Sequence, residues 1–483
     1  MTKLYPFITI ALLVLMGNMI TDAQDKRTGY QLTFEIDGMP DTTFVLAYYF
    51  DEGTYTRDTA RSDGKGKVIF KGDKPLLKGV YILVLESSKS KLFDFVVYNN
   101  QFFTLKTNTR DPYRNMVADD PDNKLFFENM IYNAGQNIKA QPYTTIANDS
   151  LKTEEERAAA RKKLGEINDE VLSYQLGLIK IHPNTLVAKI LNGRRRVDVP
   201  EAPADLSGEE AQAFRYRYFK DHFWDYFEME EDALVRLPFP LYREKIDEYF
   251  DKVVVQHPDS LIAEISRIVA RVKPNSETYK YVVWSLTTKF YAPEIMGLDA
   301  VFVHLYDTYF KSGEMDFWAN DQLKDNLKDR ADKLRLSFIG MKAPNLIMQD
   351  AKLQPRSLYD IRNKYTVIYF YDPDCGHCKK ETPVLVNFYN QAKFDIQVYS
   401  VSADTSLLKM KNYIKDMGMQ KWVNVNGPRS YVGHYQDLYD AFQTPTLYVI
   451  NEEKKIIAKK LPSDMLEDFL TRYEAVENKR EQQ

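Results

Sequence analysis

The chain has 483 residues, of which 44% are hydrophobic and 28% are charged, a balance typical of a folded protein with several domains. Its net charge of −4 gives no electrostatic reason to expect a nucleic acid or an anionic membrane surface as a partner. A chain of this length buries enough apolar surface to fold without disulfide staples, so its two cysteines need another explanation.

The first 23 residues have the pattern of a secretory signal peptide. Lys3 precedes an apolar run from Phe7 to Ile20, and Thr21-Asp22-Ala23 offers small residues for cleavage after Ala23. The run is short for a membrane span, and no cysteine near the cleavage point could accept a lipid. We therefore expect a periplasmic protein whose mature chain starts near Gln24, with an uncleaved, membrane-anchored form as the alternative.

Residues 28–112 are predicted to form a β-sandwich. Segments such as YQLTFEI, TFVLAYYF, KVIFKG, GVYILVLE and FDFVVY alternate or cluster β-branched and aromatic residues between turns. Six or seven short strands at this spacing are typical of a sandwich. The region has no acid–base pair and no cluster of ligands, so we expect a binding or spacer role.

Residues 115–336 are predicted to form an α-helical domain. Apolar residues recur three and four positions apart, as in Leu261, Ile265 and Ile268. A polar segment with two prolines, RRRVDVPEAPADLS, interrupts the pattern after Gly193 and predicts a connection between helices.

Residues 338–477 alternate between strand and helix patterns, which predicts an α/β domain. The expected order is strand, helix, strand, helix, strand, strand: Tyr365–Tyr371, Lys379–Ala392, Ile396–Val401, Ser406–Met417, Thr446–Ile450 and Lys455–Lys459. The whole chain is thus predicted to be multidomain, with a β-sandwich, a helical domain and an α/β domain that carries both thiols.

Both cysteines lie in the segment YDPDCGHCKKETP, residues 371–383. A zinc site needs about four ligands, and the chain has no second cysteine pair. A structural disulfide between Cys375 and Cys378 would close a very small loop and contribute little chain entropy. In a redox pair, the strand would deliver Cys375 to a helix N-terminus, whose partial positive charge stabilises a thiolate. We therefore predict thiol–disulfide exchange, with neither a metal nor another cofactor.

The C-terminal region resembles thioredoxin-fold proteins of the TlpA/ResA class, which are exported thiol-disulfide oxidoreductases. The resemblance covers about residues 338–477 and is carried by Ala343-Pro344-Asn345, by VIYFYDPDCGHCKKETP and by TPTLYVI. It implies that Pro445 is a cis proline facing the cysteines and that Glu381 accepts a proton from Cys378. A solvated surface residue is the alternative for Glu381. The two upstream regions are similar to poorly characterised β and helical domains that precede thioredoxin modules in some Gram-negative exported proteins.

The motif departs from this class beside the first cysteine. Asp374 stands where the family usually has tryptophan, Asp372 is close by, and Tyr369 occupies a position where thioredoxins often bury an acid. The negative charges of Asp372 and Asp374 should disfavour a thiolate at Cys375. Gly376-His377 resembles the dipeptide of protein disulfide isomerase, and we expect His377 to stabilise the thiolate and raise the reduction potential.

We expect Gly376, His377 and Thr444 to tune the redox properties of the pair. The expected partners are client proteins with cysteines or disulfides, and an upstream redox partner. Two alternatives stay open. The protein could be an adaptor that binds a ligand upstream while its thioredoxin fold docks without catalysis. It could also be a peroxiredoxin-like peroxidase, although the sequence has no Thr-x-x-Cys motif of a peroxidatic site.

Overall fold

The computed structural model describes residues 28–481, so the predicted signal peptide lies outside the described residues. The described chain divides into two compact units. One comprises the residues up to Tyr48 together with Tyr55–Asn168, and the other comprises Tyr49–Thr54 together with the chain from Asp169 onward.

The N-terminal region is β-rich, as predicted. Its strands form two four-stranded sheets with the orders β4-β1-β7-β8 and β3-β2-β5-β6. Leu32, Phe34 and Ile36 alternate along β1 with their side chains buried, because successive side chains of a strand point to opposite faces. Phe34 contacts Phe95 of the other sheet, with ring centroids 5.0 Å apart, so the two sheets share an aromatic core. The strands are β1 Tyr30–Asp37, β2 Thr43–Phe50, β3 Gly53–Arg61, β4 Lys67–Gly72, β5 Gly79–Leu85, β6 Lys91–Val97, β7 Phe102–Asn108 and β8 Val117–Ala118.

The central region is helical, as the periodicity predicts. Leu261, Ile265 and Ile268 lie on one face of their helix and are fully buried. In the part of the chain that the structure describes, no helix is both long enough and apolar enough to cross a bilayer. The helices are α1 Pro121–Asn148, α2 Glu154–Ile181, α3 Leu186–Gly193, α4 Gly208–His222, α5 Leu241–Glu248, α6 Pro258–Val269, α7 Glu277–Phe290, α8 Asp299–Leu305 and α9 Asp321–Arg335.

The C-terminal region is an α/β fold around a seven-stranded mixed sheet of order β10-β9-β13-β12-β11-β14-β15. Its strands are β9 Ile347–Asp350, β10 Pro355–Ser357, β11 Tyr365–Tyr371, β12 Ile396–Ser402, β13 Val423–Ser430, β14 Thr446–Asn451 and β15 Ile456–Lys459. Its helices are α10 Gly376–Gln391, α11 Leu407–Met417, α12 Tyr435–Tyr439 and α13 Leu466–Glu481.

Strand β11 is central to this sheet, and all seven of its side chains are buried. It pairs in parallel with β12 and antiparallel with β14. Helix α10 begins at Gly376, one turn earlier than the sequence pattern predicts. Strands β9, β10 and β13 were not predicted, although β13 lies inside the sheet between β9 and β12.

Candidate active site

Cys375 lies where the chain passes from β11 into α10, as the sequence predicts. It is the N-cap residue of α10, with φ −72° and ψ 123°, and it is partly exposed. Its sulfur accepts a hydrogen bond from the backbone N–H of Cys378 at 3.4 Å. The sulfur thus takes the place of a capping oxygen and receives a donor that the helix would otherwise leave unpaired.

The surroundings of Cys375 favour its thiolate. Burial acts to raise the pKa of this thiol, but backbone hydrogen bonds, first from Cys378 and also from His377, outweigh burial and lower the pKa. In its protonated form, the thiol instead donates to the carbonyl oxygen of Thr444 at 3.3 Å. A partly exposed thiol with a lowered pKa is typical of a reactive cysteine.

Cys378 is in the opposite state. Its side chain is completely buried, and burial raises the pKa of its thiol to about 12. The backbone N–H of Asp372 donates to its sulfur at 3.5 Å. The two sulfurs therefore differ in both accessibility and acidity, as expected for an attacking and a resolving cysteine.

A cavity of about 570 Å³ opens beside the cysteines, and its walls include His377, Glu381, Thr444 and Pro445. The Thr444–Pro445 peptide bond is cis, as the family resemblance predicts. The His377 side chain is exposed. A Cβ atom placed on Gly376 would meet no heavy atom within 4 Å, so packing alone does not require glycine there.

Glu381 lies on the cavity wall, and its carboxylate accepts a hydrogen bond from the backbone N–H of Ser463 at 3.1 Å. Its described hydrogen bond is therefore to the segment before α13 and not to Cys378. This hydrogen bond holds the carboxylate at the cavity wall. A freely solvated surface side chain, which was the alternative for Glu381, would not be held in this way.

A chain of buried hydroxyls occupies the place of the acid that thioredoxins often bury. Tyr369 and Thr382 are joined through their hydroxyl oxygens at 2.9 Å, and Thr382 and Tyr413 at 2.8 Å. Burial raises the pKa of Tyr413 to about 12, and it also raises the pKa of Tyr369. These groups are therefore neutral hydrogen-bonding partners near the thiols. The sequence pointed to Tyr369, but it gave no sign of Thr382 or Tyr413.

The aspartates that precede Cys375 belong to a small acidic group. Ligand oxygens of Asp372, Asp374 and Asp404 lie within 4.8 Å of one another, a spacing that could suit a metal ion. However, the Lys409 ammonium binds Asp374 at 2.5 Å and Asp404 at 2.9 Å. The protein's own cation thus compensates part of the negative charge beside Cys375.

The helical region also contributes to the cavity through Ala292 and Arg330, which sequence analysis missed. The guanidinium of Arg330 pairs with Asp440, and Lys460 pairs with the same carboxylate at 2.6 Å. Burial alone would raise the pKa of Asp440, but hydrogen bonds from Lys460 and Arg330 outweigh it and lower the pKa. Asp440 precedes the loop that ends at Pro445, so α9 holds the start of this loop.

Two family models match the chain. Residues 339–459 match the AhpC/TSA family, and residues 152–331 match a domain of unknown function, DUF5106. Thiol-disulfide oxidoreductase ResA from Bacillus subtilis is 28% identical over 135 residues, which cover 28% of this chain and 73% of that protein. ResA from Bacillus cereus is 25% identical over 144 residues, which cover 29% of this chain and 80% of that protein.

Solved structures also match parts of the chain. A domain of a possible thiol-disulfide isomerase from Cytophaga hutchinsonii is 38% identical, with a TM-score of 0.28 over 29% of this chain and 97% of that domain. A thioredoxin-like protein from Bacteroides caccae is 19% identical, with a TM-score of 0.46 over 57% of this chain and 98% of that protein.

The C-terminal region is therefore an AhpC/TSA thioredoxin-fold domain with ResA-like homologues, which confirms the predicted resemblance. The thioredoxin-like fold and the names of these homologues support the prediction that the chain is an oxidoreductase.

Proposed function

We propose that this protein is an exported thiol-disulfide oxidoreductase that exchanges disulfides with client proteins through Cys375 and Cys378. The observation that carries the proposal is the contrast between the two sulfurs. The first is partly exposed with a lowered pKa, whereas the second is buried with a pKa of about 12. This contrast suits a nucleophile followed by a resolving thiol.

In the reducing direction, the Cys375 thiolate attacks one sulfur of a client disulfide. A new S–S bond joins Cys375 to that sulfur, and the other client sulfur leaves as a thiolate and takes up a proton. Cys378 then loses its proton and attacks the Cys375 sulfur, which forms the Cys375–Cys378 disulfide and releases the first client sulfur. The client gains two electrons, and an upstream dithiol then supplies two further electrons that reduce the Cys375–Cys378 disulfide again.

The second step needs a base. Burial raises the pKa of Cys378 to about 12, so its thiol is protonated at neutral pH. We assign the base to Glu381, because its carboxylate is held at the cavity one helical turn after Cys378. Glu381→Gln should therefore slow resolution of the mixed disulfide more than its formation, as single-turnover kinetics would measure.

Three further residues support the exchange. Thr444 and Pro445 present a backbone edge beside Cys375, where the client strand would bind in extended form. We further expect the absence of a side chain at Gly376 to ease the approach of a client to the neighbouring sulfur.

Export is part of the proposal and is supported by the signal-like pattern over residues 1–23. Cell fractionation of a strain that expresses the full chain tests it. Recovery of the protein in the cytoplasm with its first residues intact would contradict export.

The enzymatic test is insulin reduction driven by dithiothreitol, with wild type, Cys375→Ser and Cys378→Ser compared. Cys375→Ser should abolish turnover, and Cys378→Ser should accumulate mixed disulfides with clients. Trapping by Cys375→Ser would reverse the two roles. A wild-type protein without turnover would favour the adaptor alternative, and peroxide consumption without insulin reduction would favour a peroxidase.

A further inference from the structure

A second cavity continues the active-site cavity away from the cysteines. It has a volume of about 680 Å³ and lies between the segment that precedes α8 and helix α13. The two cavities have wall residues in common, namely Ala292, Arg330, Lys460, Leu461 and Pro462. A molecule in the first cavity, beside the Thr444 residue that contacts Cys375, can therefore extend into the second cavity without leaving the protein surface.

The second cavity has exposed apolar side chains on both sides. Ile295 and Met296 on the helical side are 46% and 38% exposed, and Met465 and Val476 on the thioredoxin side are 51% and 50% exposed. A cluster of exposed apolar residues around a concavity marks a binding surface, because it is costly to leave in water. Methionine side chains are flexible and adapt to apolar partners of different shapes.

A buried ion pair and a hydrogen bond hold the two walls of this cavity together. Lys459, at the end of β15, pairs with Asp299, and the side chains of both residues are at most 6% exposed. The Lys459 ammonium also donates to the Ser337 carbonyl at 3.0 Å. The cavity is therefore present before any ligand binds, which lowers the entropic cost of binding.

We propose that the two cavities form one client groove, which binds an unfolded polypeptide while one of its cysteines reacts at Cys375. An apolar side chain a few residues from the client cysteine would occupy the second cavity. This inference rests on the proposed function and names its substrate class. The central helical region would then be part of the enzyme's recognition surface.

A polypeptide fits this groove better than a small thiol does. A small disulfide that reacts at Cys375 would occupy the first cavity and leave the apolar walls of the second one exposed. The rim of the second cavity carries both signs of charge, with Glu294 and Asp468 as well as Arg472 and Lys460. Charge therefore provides no strong selection, and apolar contact is what distinguishes one client segment from another.

The test compares three substrates: glutathione disulfide, and two disulfide-linked reporter peptides with either leucine or serine four residues from the cysteine. Wild type should prefer the leucine peptide by about tenfold in kcat/KM, since burial of a leucine is worth at least that factor. Ile295→Asp and Met465→Asp change one residue on each wall. Each variant should lose most of the preference for the leucine peptide over the serine peptide, while its kcat/KM for glutathione disulfide stays near that of wild type. Both positions are exposed, so we expect the fold to tolerate the change.

Leu353→Asp is the matched control, because Leu353 is 50% exposed and lines neither cavity. It should keep the wild-type preference. Equal rates for the two peptides with wild type would overturn the client groove, and so would an unchanged preference in both groove variants. So would a wild-type dimer that either variant converts to monomers, because the apolar walls would then be a self-association surface. Failure of wild type on all three substrates would instead refute the proposed oxidoreductase.

Discussion

Replacement of His377 by proline tests which group controls the acidity of Cys375. The His377 backbone N–H is among the donors that lower the pKa of Cys375, whereas its imidazole is exposed. Proline removes both groups, because it has no N–H, and the first turn of a helix tolerates it. Alanine at the same position removes only the imidazole, so the two variants separate the two contributions.

The expected magnitude follows from the thiolate's hydrogen bonds. Loss of one donor to a charged group costs about 1.5 kcal/mol or more, and 1.4 kcal/mol corresponds to one pKa unit or roughly 30 mV for a two-electron couple. The reduced form contains the thiolate, so its destabilisation lowers the reduction potential. The His377 N–H is the smallest of the contributions named for Cys375, so we expect His377→Pro to lower the potential measurably but by less than roughly 30 mV, and His377→Ala by less still.

The assay is equilibration with glutathione redox buffers, with the oxidised fraction measured by thiol alkylation. An equal fall of the reduction potential in both variants would assign the effect to the imidazole, as the Gly376-His377 dipeptide predicts. An unchanged or higher potential in His377→Pro would refute this reasoning. The charges of Asp372 and Asp374 would then be the groups that set the acidity of Cys375.

Three further predictions concern reactivity and stability. Iodoacetamide should modify Cys375 with a midpoint below that of a free cysteine peptide, because its lowered pKa supplies thiolate at lower pH, while Cys378 should stay unmodified until the protein unfolds. A midpoint above this value would contradict the assigned roles. Thr382→Val should lower the free energy of unfolding by about 1–3 kcal/mol, since it leaves two buried tyrosine hydroxyls without their shared partner, and Thr382→Ser should lower it less. Lys459→Ala should cost about 3–5 kcal/mol in urea unfolding, because it leaves a buried carboxylate unpaired, whereas Lys455→Ala at an exposed ion pair should cost less than about 1 kcal/mol. Similar losses of unfolding free energy in the two lysine variants would show that the buried ion pair stabilises the fold no more than an exposed one does.

Local sequence patterns determined the architecture and the position of the two thiols. The seven residues of β11 are all aromatic or β-branched, which predicts a strand buried on both faces. Cys375 follows this strand and precedes a helical pattern, so its place at the junction of strand and helix could be predicted without any distant contact, although the helix begins one turn before the patterned segment. The strand and its junction with the helix depend only on residues within about two helical turns or one strand along the chain. A local sequence pattern is therefore enough to predict them.

Strand β13 shows what local patterns leave out. It contains Asn424, Asn426 and Gly427, which are uncommon in strands, yet it lies inside the sheet. Asn424 accepts a hydrogen bond from Ser400 at 2.7 Å, and Asn426 donates to the Asp404 carbonyl at 2.8 Å. A Cβ on Gly427 would lie 2.4 Å from the Tyr435 ring, so close packing requires glycine there.

The surroundings of the thiols were likewise decided by tertiary structure. The Glu381 carboxylate is held by Ser463, which is 82 residues away, and Arg330 reaches Asp440 over 110 residues. Arg330 is otherwise an ordinary charged residue of an amphipathic helix, and nothing in its neighbourhood along the chain indicates an active-site wall. Local patterns therefore located the reactive sulfurs, whereas the shape and charge of the cavity beside them depend on contacts that exist only after distant segments pack together.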